Sequence, residues 1–327
     1  MTLILKKNRF KTLVWYHFNR QEHGRKLKDL FEVLGISKQS FYQMLKRRRY
    51  KLEEQEQLIP LINEIRRDHP RMSARDIYIK LKPSCMGRDQ FERFCMDSGY
   101  RIKKLRNYRV TTNSLGVTRF PNLIKDLQVT GVNQVFVSDI TYFDIGSKTY
   151  YLTFIMDLFN REIVGWSASD NLRTESTTLP ALHRLIRERG RVNLKGAILH
   201  SDGGGQYYCK EFKELTKELG MKNSMTEGNV YENSHAERLN GIIKNNYLYP
   251  YGPTDLASLR RLLNRAVHMY NTGKPHKALG KLTPKSFKDT IDNEDNSSSN
   301  LPLSTVNHHQ NFNYKRSKLS NKKVNVI

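Results

Sequence analysis

The sequence predicts an α/β protein in which all-helical segments precede a mixed five-stranded sheet with helices. Two observations lead to this fold class. Before residue 112, apolar side chains recur at helical spacing between polar and basic ones. After residue 131, three successive stretches rich in β-branched and aromatic residues are followed by alternating helical and strand-like patterns. Such an order of elements is typical of a mixed sheet covered by helices.

The 327-residue chain is strongly basic, with 56 Lys and Arg against 32 Asp and Glu and a formal net charge of +24. The excess is concentrated near the N terminus. Residues 1–112 carry 27 basic and 12 acidic side chains, whereas residues 131–290 carry 22 and 16. A charge excess of this size repels itself unless a polyanion binds, and nucleic acid is the usual polyanion. The composition therefore favours a nucleic-acid-binding protein.

Other classes of protein fit the sequence less well. No apolar run approaches the roughly 18 residues of a membrane helix, and the apolar stretch in MTLILKKNRF is too short for a signal peptide. Cys85, Cys95 and Cys209 form no C-x-x-C pair and are odd in number, so neither a zinc site nor a disulfide framework is indicated. We expect a cytoplasmic protein with no membrane partner.

Residues 1–52 are predicted to form a first helical segment. In RKLKDLFEVLGISKQSFYQMLKRRRY, residues 25–50, apolar side chains share one helix face, Gly35 supplies a break and Ser37 caps a second helix. Five basic residues follow within 46–51. The pattern is typical of a DNA-binding helix-turn-helix, and an ordinary pair of antiparallel helices has the same pattern.

Residues 53–112 repeat this organisation in a second helix-turn-helix-like DNA-binding segment. One helix is predicted to end near residues 68–70, Ser73 caps another, and Phe91 lies on the apolar face of a third. Two basic helical units in tandem favour DNA binding over simple helix packing, because packing does not require this charge. Residues 113–130, with weak periodicity, are predicted to be a linker.

Residues 131–290 are predicted to form the α/β domain, and residues 291–327 a disordered tail. The predicted strands lie within 133–145, 148–169 (two strands), 194–202 and 221–226, and the predicted helices span 174–190, 209–219, 234–248 and 255–271. Eight Asn and six Ser occur within 293–327. That composition cannot bury enough apolar area to order itself.

Three carboxylates stand out within the predicted α/β domain. Asp139 ends QVFVSD, Asp202 ends AILHSD before three glycines, and Glu237 lies in YENSHAERLNGIIKNNY. The ends of adjacent strands form the usual ligand crevice of an α/β sheet, and glycines allow a bulky ligand to approach closely. Each residue alone has a structural explanation. Asp139 could begin a turn, Asp202 could cap the next helix, and Glu237 could complete a capping box with Ser234.

Taken together, the three carboxylates supply hard oxygen ligands of the kind that Mg²⁺ prefers. Two such ions about 4 Å apart stabilise both the attacking and the leaving oxygen of a phosphoryl displacement. Lys244 lies seven residues after Glu237, two helical turns along the same face, where it could approach a phosphate. The alternative for Lys244 is a solvated surface lysine. The set predicts phosphodiester chemistry that depends on two Mg²⁺ ions, with Mn²⁺ as a substitute.

Several stretches resemble one known family. They are SDITYF at 138–143, DLFNREIVGW at 157–166, HSDGGGQY at 200–207, ENSHAERLNGIIK at 232–244 and YNTGKPHKALGKLTPKSF at 270–287. In this order they resemble the RNase H-like integrase catalytic core of DDE transposases and retroviral-type integrases. More narrowly, the chain resembles OrfB transposases of the insertion-sequence-three family. LGISKQSFYQMLKRR and HPRMSARDIYIKL are similar to that family's N-terminal helix-turn-helix segments, so the resemblance covers roughly residues 25–288.

The resemblance implies a transposase whose catalytic and metal-binding triad is Asp139, Asp202 and Glu237, with Lys244 as the basic residue that follows. It implies hydrolysis at an element end, attack by the freed 3′-hydroxyl, and a copy-out route through a circular intermediate. The implied partners are double-stranded DNA of the terminal repeats and the target, further copies of the chain, and an upstream-frame OrfA protein. The implied location is the bacterial nucleoid. The chain departs from the family pattern in lacking a tryptophan shortly before Asp139 and in having Glu232 where Asp is usual.

Two other functions remain open from the sequence alone. A non-catalytic DNA-binding repressor, or a domesticated transposase, would use only residues 1–112 and would not need all three carboxylates. A plain RNase H-like nuclease would need the carboxylates but not two basic helical units ahead of them.

Overall fold

The computed structural model describes residues 3–23, 26–102, 120–227 and 233–298. Its contacts divide the chain into two compact units. Unit 1 comprises residues 1–67 and 80–100, and unit 2 comprises residues 68–79 and 101–327. None of the described helices is long and apolar enough to cross a membrane.

The described residues before 103 are helical or in short turns. The helices are α1 (Leu3–Phe18), α2 (Arg20–His23), α3 (Leu27–Leu34), α4 (Lys38–Asp68), α5 (Ala74–Leu81) and α6 (Arg88–Asp97). Leu13, Leu27 and Phe41 are buried together at the centre of the α1–α3–α4 part of unit 1. Gly35 ends α3 in the left-handed region (φ 62°), and the Ser40 N–H donates to Ser37 Oγ at 3.1 Å. The predicted helix, glycine break and serine cap are therefore all present.

One helix replaces the two that were expected on either side of residue 52. α4 runs unbroken from Lys38 to Asp68 and includes Pro60. Its middle, LEEQEQL at 52–58, consists of strong helix formers, so the helix continues across the change in apolar pattern. The predicted boundary between the two helix-turn-helix-like segments thus falls inside a continuous helix.

Unit 2 contains a mixed five-stranded sheet, as predicted. The strands are β1 (Val135–Ile145), β2 (Lys148–Asp157), β3 (Ile163–Ser169), β4 (Ile198–Ser201) and β5 (Lys222–Met225), in the order β3-β2-β1-β4-β5. β1, β2 and β3 are antiparallel, whereas β4 and β5 run parallel to β1. The β1–β4 pairing involves only residues 135–137 of β1. Beyond residue 137, β1 is therefore paired on its β2 side alone.

Helices pack on both faces of this sheet. They are α7 (Thr178–Arg189), α8 (Lys210–Glu218), α9 (Ser234–Ile243), α10 (Tyr249–Tyr251), α11 (Leu256–Gly273) and α12 (Pro284–Ser298). A π-helical turn, Lys244–Leu248, joins α9 to α10. α9 and α11 bury Leu239 and Leu263 with Val137 on one face. α7 and α8 bury Leu182 and Phe212 with Phe136 on the other.

Residues 68–79 belong to unit 2 although unit 1 residues flank them in sequence. The buried His69 shares a hydrogen bond with the buried Tyr247 (Nδ1 to hydroxyl, 3.0 Å). Arg265 of α11 donates to Asp68 at 2.8 Å. Gly273, the last residue of α11, faces the His69 ring so closely that any side chain would overlap it. The segment is thus packed into unit 2 by specific contacts.

Gly273→Ala is expected to lower the free energy of unfolding of unit 2 by about 1–3 kcal/mol, the usual range for overpacking a core. The added methyl would meet the His69 ring, which is buried and hydrogen-bonded. The measurement is chemical denaturation. Gly241→Ala in α9 is the matched control, because its methyl meets nothing within 4 Å and alanine favours a helix by up to about 1 kcal/mol. Equal stability changes for the two variants would contradict the described packing.

Both ends of the α/β domain differ from the sequence prediction. Of the predicted linker, residues 113–119 lie outside the described residues. The later part is bound to β5, since Leu123 N–H donates to Ser224 Oγ at 2.9 Å and Met225 N–H donates to Pro121 O at 3.3 Å. α12 continues through residues 291–298 of the predicted tail, and residues 299–327 lie outside the described residues. Composition alone does not reveal that a helix started at residue 284 extends past 290.

Candidate active site

The three predicted carboxylates are neighbours in unit 2. Asp139 lies in β1, Asp202 directly follows β4, and Glu237 is in the first turn of α9. Asp202 and Glu237 both act electrostatically on the Asp139 carboxyl group. In the described parts of the chain, no group of three or more His, Cys, Asp or Glu side chains has the arrangement of a ready-made metal site. The carboxylates therefore face a common region without forming a closed cage.

Asp139 does not end a strand, contrary to the sequence prediction. It is the fifth residue of the eleven-residue β1, paired with Phe154 of β2. The parallel partner β4 ends at Ser201, and its pairing with β1 has already ended at Val137. Asp139 and Asp202 consequently lie where the sheet splits between β1 and β4. The sequence predicted a crevice at this place, but Asp139 contributes to it from the middle of β1, whereas Asp202 contributes from the end of β4.

The spacing of side chains on β1 matches that on α9. Val137, Asp139 and Thr141 alternate onto the face that α9 covers. A step of two residues along a strand covers about 6.8 Å, and a step of four residues along a helix covers about 6 Å. Because the two steps are nearly equal, Asp139 can contact Asn240 while Thr141 contacts Lys244. Asn240 Nδ2 donates to Asp139 Oδ2 at 2.6 Å, and Lys244 Nζ donates to Thr141 Oγ1 at 2.8 Å.

Burial and neighbouring negative charge disfavour ionisation of the aspartates. The pKa of Asp139 rises to about 8, first because of burial and then because of the charges of Asp202 and Glu237. The backbone N–H of Ile140 and the ammonium of Lys244 offset only part of this. Burial also raises the pKa of Asp202, against one hydrogen bond from the Gly204 N–H. Near neutral pH, the positive charge of Lys244 is therefore too small to balance three ionised carboxylates.

Asp202 begins a tight turn and does not cap a helix. Its Oδ1 accepts the Gly204 N–H at 3.1 Å, and the N-cap of α8 is Cys209. None of the three glycines at 203–205 has a positive φ. A Cβ at Gly204 would instead lie 3.1 Å from Asp202 Oδ1. The glycine therefore leaves space beside that carboxylate oxygen.

Glu237 is free of the capping role that the sequence left open. The N-cap of α9 is Asn233, so Ser234 is already inside the helix and no capping box forms. Glu237 is exposed, and within the described residues its carboxylate has no hydrogen bond or ion pair. Its position in the first turn of α9 also places it at the positive end of the helix dipole.

Lys244 is neither fully solvated nor simply two turns along α9. It begins the π-helical turn, its ammonium contacts Thr141 Oγ1 and lies 3.4 Å from Tyr142 O, and it lies 5.7 Å from the Tyr142 ring centroid. Burial lowers the pKa of Lys244, while the charges of Asp139 and Asp144 raise it. π-Helical turns occur frequently at functional sites.

Sequence reasoning missed four polar residues that support the site. Asn240 binds Asp139 directly, and Asn233 Nδ2 donates to the Ser138 carbonyl at 3.0 Å. The Ser138 hydroxyl donates to Phe154 O at 3.0 Å and shares a 2.8 Å hydrogen bond with the buried Tyr207. Asn240 could have been found, because it lies three residues after Glu237 and four before Lys244. The contact between Ser138 and Tyr207 has no signal in sequence spacing.

Comparison with known proteins identifies the domain that contains this site. A family model described as an integrase core domain matches residues 129–228, and a second model with the same description matches residues 219–284. The HTLV-2 integrase catalytic core domain in complex with magnesium is a similar solved structure. It has 23% sequence identity and a TM-score of 0.38, covering 47% of this chain and 95% of that one.

Relatives among bacterial insertion elements align with much of the chain. An uncharacterised 31 kDa protein of insertion element IS600 from Shigella sonnei is 28% identical over 268 residues, 79% of this chain and 97% of that protein. The putative transposase InsK of insertion sequence IS150 from Escherichia coli is 26% identical over 197 residues, 59% of this chain and 66% of that protein. The two integrase-core matches overlap at residues 219–228 and together span residues 129–284, and the relatives come from insertion elements. The chain therefore carries an integrase core domain and is similar to the transposases of bacterial insertion sequences.

Proposed function

We propose that this transposase hydrolyses a phosphodiester bond at the ends of its element and then joins the freed 3′-hydroxyl to target DNA. Asp139, Asp202 and Glu237 form the catalytic triad in this proposal, and Lys244 contacts a DNA phosphate. Further copies of the chain, and an upstream-frame OrfA protein, are the proposed protein partners on DNA. The observation that supports the proposal most strongly is the meeting of three carboxylates around Asp139.

The residues around Asp139 suit divalent cations. Mg²⁺ is usually held by one or two carboxylates together with substrate phosphate oxygens and water, so a closed three-ligand cage is not required. Asp139, Asp202 and Glu237 would be the protein ligands. The pKa of Asp139 is raised first by burial and then by repulsion from Asp202 and Glu237, and bound cations would relieve that repulsion. When bound, two Mg²⁺ or Mn²⁺ ions would stabilise the negative charge that develops in phosphoryl transfer.

The protein side chains then have distinct tasks. Asn240 holds Asp139 Oδ2, so that the carboxylate keeps one orientation on β1. Gly204 leaves the Asp202 oxygens open to a ligand. Lys244, held above Thr141, supplies positive charge on the β1 side of the carboxylates. Because these groups are on β1, the β4 turn and α9, the packed sheet fixes their separation before substrate binds.

The direct test is cleavage in vitro of a duplex that carries the element's own end, with the full chain and Mg²⁺. Strand cleavage at the element boundary, followed by joining to a second duplex, is the expected result. Binding without cleavage would instead support the repressor function. Cleavage without preference for the element end would support a plain nuclease.

Lys244→Ala is expected to weaken strand joining and binding near the cleavage site by about tenfold, without abolishing hydrolysis. The ammonium contributes a charge-assisted contact to phosphate and carries no reacting group. The assay compares hydrolysis and joining on the same end duplex. Lys222→Ala, an exposed lysine on β5, is the matched control. Wild-type joining by Lys244→Ala would mean that the lysine only packs against β1.

We propose that unit 1 contributes the recognition of element ends. The basic run at 46–51 lies exposed on α4, immediately after the helix-turn-helix-like part. Phosphate contacts from such residues supply affinity, and base-edge contacts from the start of a recognition helix supply sequence preference.

Arg47→Gln with Arg48→Gln in the full chain is expected to weaken element-end binding and to flatten its salt dependence. Each lost phosphate contact lowers the slope of log affinity against log salt by about 0.9. Lys213→Gln with Lys217→Gln, on the exposed face of α8, removes the same charge from unit 2. Titrations at several salt concentrations compare the two. The same loss in both variants would show that total charge, not unit 1, determines binding.

A further inference from the structure

Four basic side chains beside the carboxylates have no role in the proposed chemistry. Arg161, Arg238, Lys274 and His276, here called the basic cluster, come from three parts of unit 2. Arg161 is in the turn between β2 and β3, Arg238 is in α9, and Lys274 and His276 follow the end of α11. Arg238 directly follows Glu237 in α9, so one member of the cluster lies next to a proposed catalytic carboxylate along the helix.

Specific contacts hold these three parts together. The Asn271 side chain of α11 accepts the Ile163 N–H and donates to the Ile163 carbonyl, both at 2.9 Å. This pairing fixes the start of β3, two residues beyond Arg161. The His276 ring packs edge-on against Tyr270 of α11, with ring centroids 4.8 Å apart. The basic groups are therefore carried on a defined backbone.

Two nitrogen atoms of the cluster are buried without a partner. Arg161 Nη1 and His276 Nε2 are inaccessible to solvent and have no hydrogen bond within the described residues. Such orphaned polar atoms, a donor on Arg161 and a ring nitrogen on His276, cost free energy unless a ligand satisfies them. Arg161 also adopts a left-handed backbone (φ 63°), its N–H donating to Asp157 O at 2.9 Å. Non-glycine residues in this region are uncommon and cluster at functional sites.

The charges of the cluster act on one another. Burial lowers the pKa of Arg161, and repulsion from Arg238 adds to this effect, whereas Tyr270 and Asp157 oppose it. Burial, and then repulsion from Lys274, Arg161 and Arg238, lowers the pKa of His276 to about 3, so its ring is uncharged at neutral pH. Burial likewise lowers the pKa of Lys274, and Arg238 adds to this effect. Arg161, Arg238 and Lys274 thus place three positive charges close together, two of them on partly buried side chains, which is unfavourable unless an anion enters.

The acidic side chains that face the cluster do not neutralise it. Asp157 favours the charged form of Arg161, but its oxygens already accept the N–H groups of Asn133 and Phe159. Asp76 favours the charged form of Lys274. Among the described residues, neither pair comes within salt-bridge distance, whereas Asp157 does pair with Arg189. A net positive charge remains.

We propose that the basic cluster is a phosphate-binding site that holds one backbone phosphate of the substrate DNA next to the carboxylates. Guanidinium groups present several N–H donors in a geometry that suits phosphate oxygens. Phosphate in this position would hold the DNA strand on the α9 side of the sheet and so limit movement of the bond to be cleaved. The choice of DNA as the source of the phosphate rests on the proposed function, whereas the phosphate chemistry rests on the cluster alone.

The test measures DNA binding by the full chain without divalent ions, so that no cleavage occurs. A set of element-end duplexes carries a neutral methylphosphonate at one backbone position at a time. Wild type is expected to lose about tenfold in affinity at one position near the cleavage site, the size of a lost charge-assisted hydrogen bond. Arg238→Gln with Lys274→Gln should bind the unmodified duplex about tenfold more weakly and lose less than about twofold further at that position.

Controls separate this site from general charge and from misfolding. Arg261→Gln with Lys277→Gln removes two exposed basic residues of the same unit and should retain the wild-type position effect. Arg238→Gln alone changes an exposed side chain and keeps the test informative if the double variant melts early. The proposal is overturned if a methylphosphonate weakens DNA binding by the cluster variants as much as binding by wild type at every position. It is also overturned if the control variant loses the position effect to the same extent as the cluster variants.

Inorganic phosphate provides the second arm of the test. If phosphate in solution raises the melting temperature of wild type but not of the cluster variant, and no DNA position matters, the assignment to DNA is overturned. Because binding is measured without metal, this result is independent of whether wild type cleaves DNA. A wild-type chain that shows the position effect but never cleaves would contradict the proposed function and leave the phosphate site standing.

Discussion

Asp139→Asn is expected to abolish strand cleavage, by roughly a thousandfold or more, while DNA binding persists. Loss of a single group that stabilises charge in the transition state costs about 10²–10³ in rate, and Asp139 is the carboxylate on which the charges of both Asp202 and Glu237 act. Asparagine keeps the shape and can still pair with Asn240, but it cannot carry the negative charge that cations require. The measurement is single-turnover cleavage of an element-end duplex at saturating protein.

Asp170→Asn, at the exposed end of β3, is the control for loss of one carboxylate. Asp202→Asn and Glu237→Gln should behave like Asp139→Asn, since each removes one proposed ligand. Near-native cleavage by any of the three would remove that residue from the triad. Loss of DNA binding in parallel with cleavage would indicate a folding defect rather than a catalytic one.

The same substitution makes an opposite prediction for the stability of the metal-free protein. The pKa of Asp139 is about 8 when folded, against an ordinary value of 3.8. Between these values the folded chain retains a proton that the unfolded chain has lost, so the free energy of unfolding falls as pH rises through this range and levels off above it. The asparagine side chain of the variant does not titrate. Asp139→Asn should therefore melt several degrees above wild type near pH 8, and the difference should shrink toward pH 4.

Removal of divalent ions is the second change with a large expected effect. Complete chelation should abolish cleavage, Mg²⁺ or Mn²⁺ should restore it, and Ca²⁺ should permit DNA binding with little chemistry because its bonds are longer and its geometry looser. Below about pH 8, an ion that binds Asp139 must displace a proton. The Mg²⁺ concentration for half-maximal cleavage should then rise by up to about tenfold for each unit of pH lost.

Calorimetry of Mg²⁺ binding in buffers of different ionisation enthalpy checks this without reference to activity. Wild type should release close to one proton per binding event near neutral pH, and Asp139→Asn should release none. Cleavage that survives complete chelation would rule out the metal mechanism. Proton release that is the same in both proteins would show that another group, not Asp139, exchanges its proton for the ion.

The elements of the α/β domain were predictable because their signals are local. β-Branched runs and helix periodicity predict the five strands and the main helices of a mixed sheet, whereas the order of the strands is known only from the structure. The continuity of α4 across residue 52 was not predictable from pattern breaks, because strong helix formers fill the break. The position of Asp139 inside β1 was missed for a similar reason, since the strand continues on its β2 side after β4 has ended.

The candidate site was also predictable only in part from the sequence. Asp139, Asp202, Glu237 and Lys244 were found because each stands in a recognisable stretch. Their supporting contacts depend on tertiary packing. The capping box at Ser234 also looked correct in sequence, yet α9 begins one residue earlier, because Asn233 is the N-cap and its side chain is directed to the Ser138 carbonyl. A shift of one residue in the start of α9 thus decides whether Glu237 is held in a capping box or is available to bind a ligand.

The interrupted course of unit 1 has a consequence for biosynthesis. Residues 68–79 leave the ribosome well before Tyr247, Arg265 and Gly273 exist, and the His69–Tyr247 contact spans 178 residues. Residues 80–100, by contrast, arrive early enough to complete unit 1 during translation. In the nascent chain, residues 68–79 must therefore wait for their unit 2 partners, while residues 1–67 and 80–100 on either side of them can already fold as unit 1. Such late closure across a long separation is slow, so the integrase core is expected to be completed only after synthesis has passed residue 273.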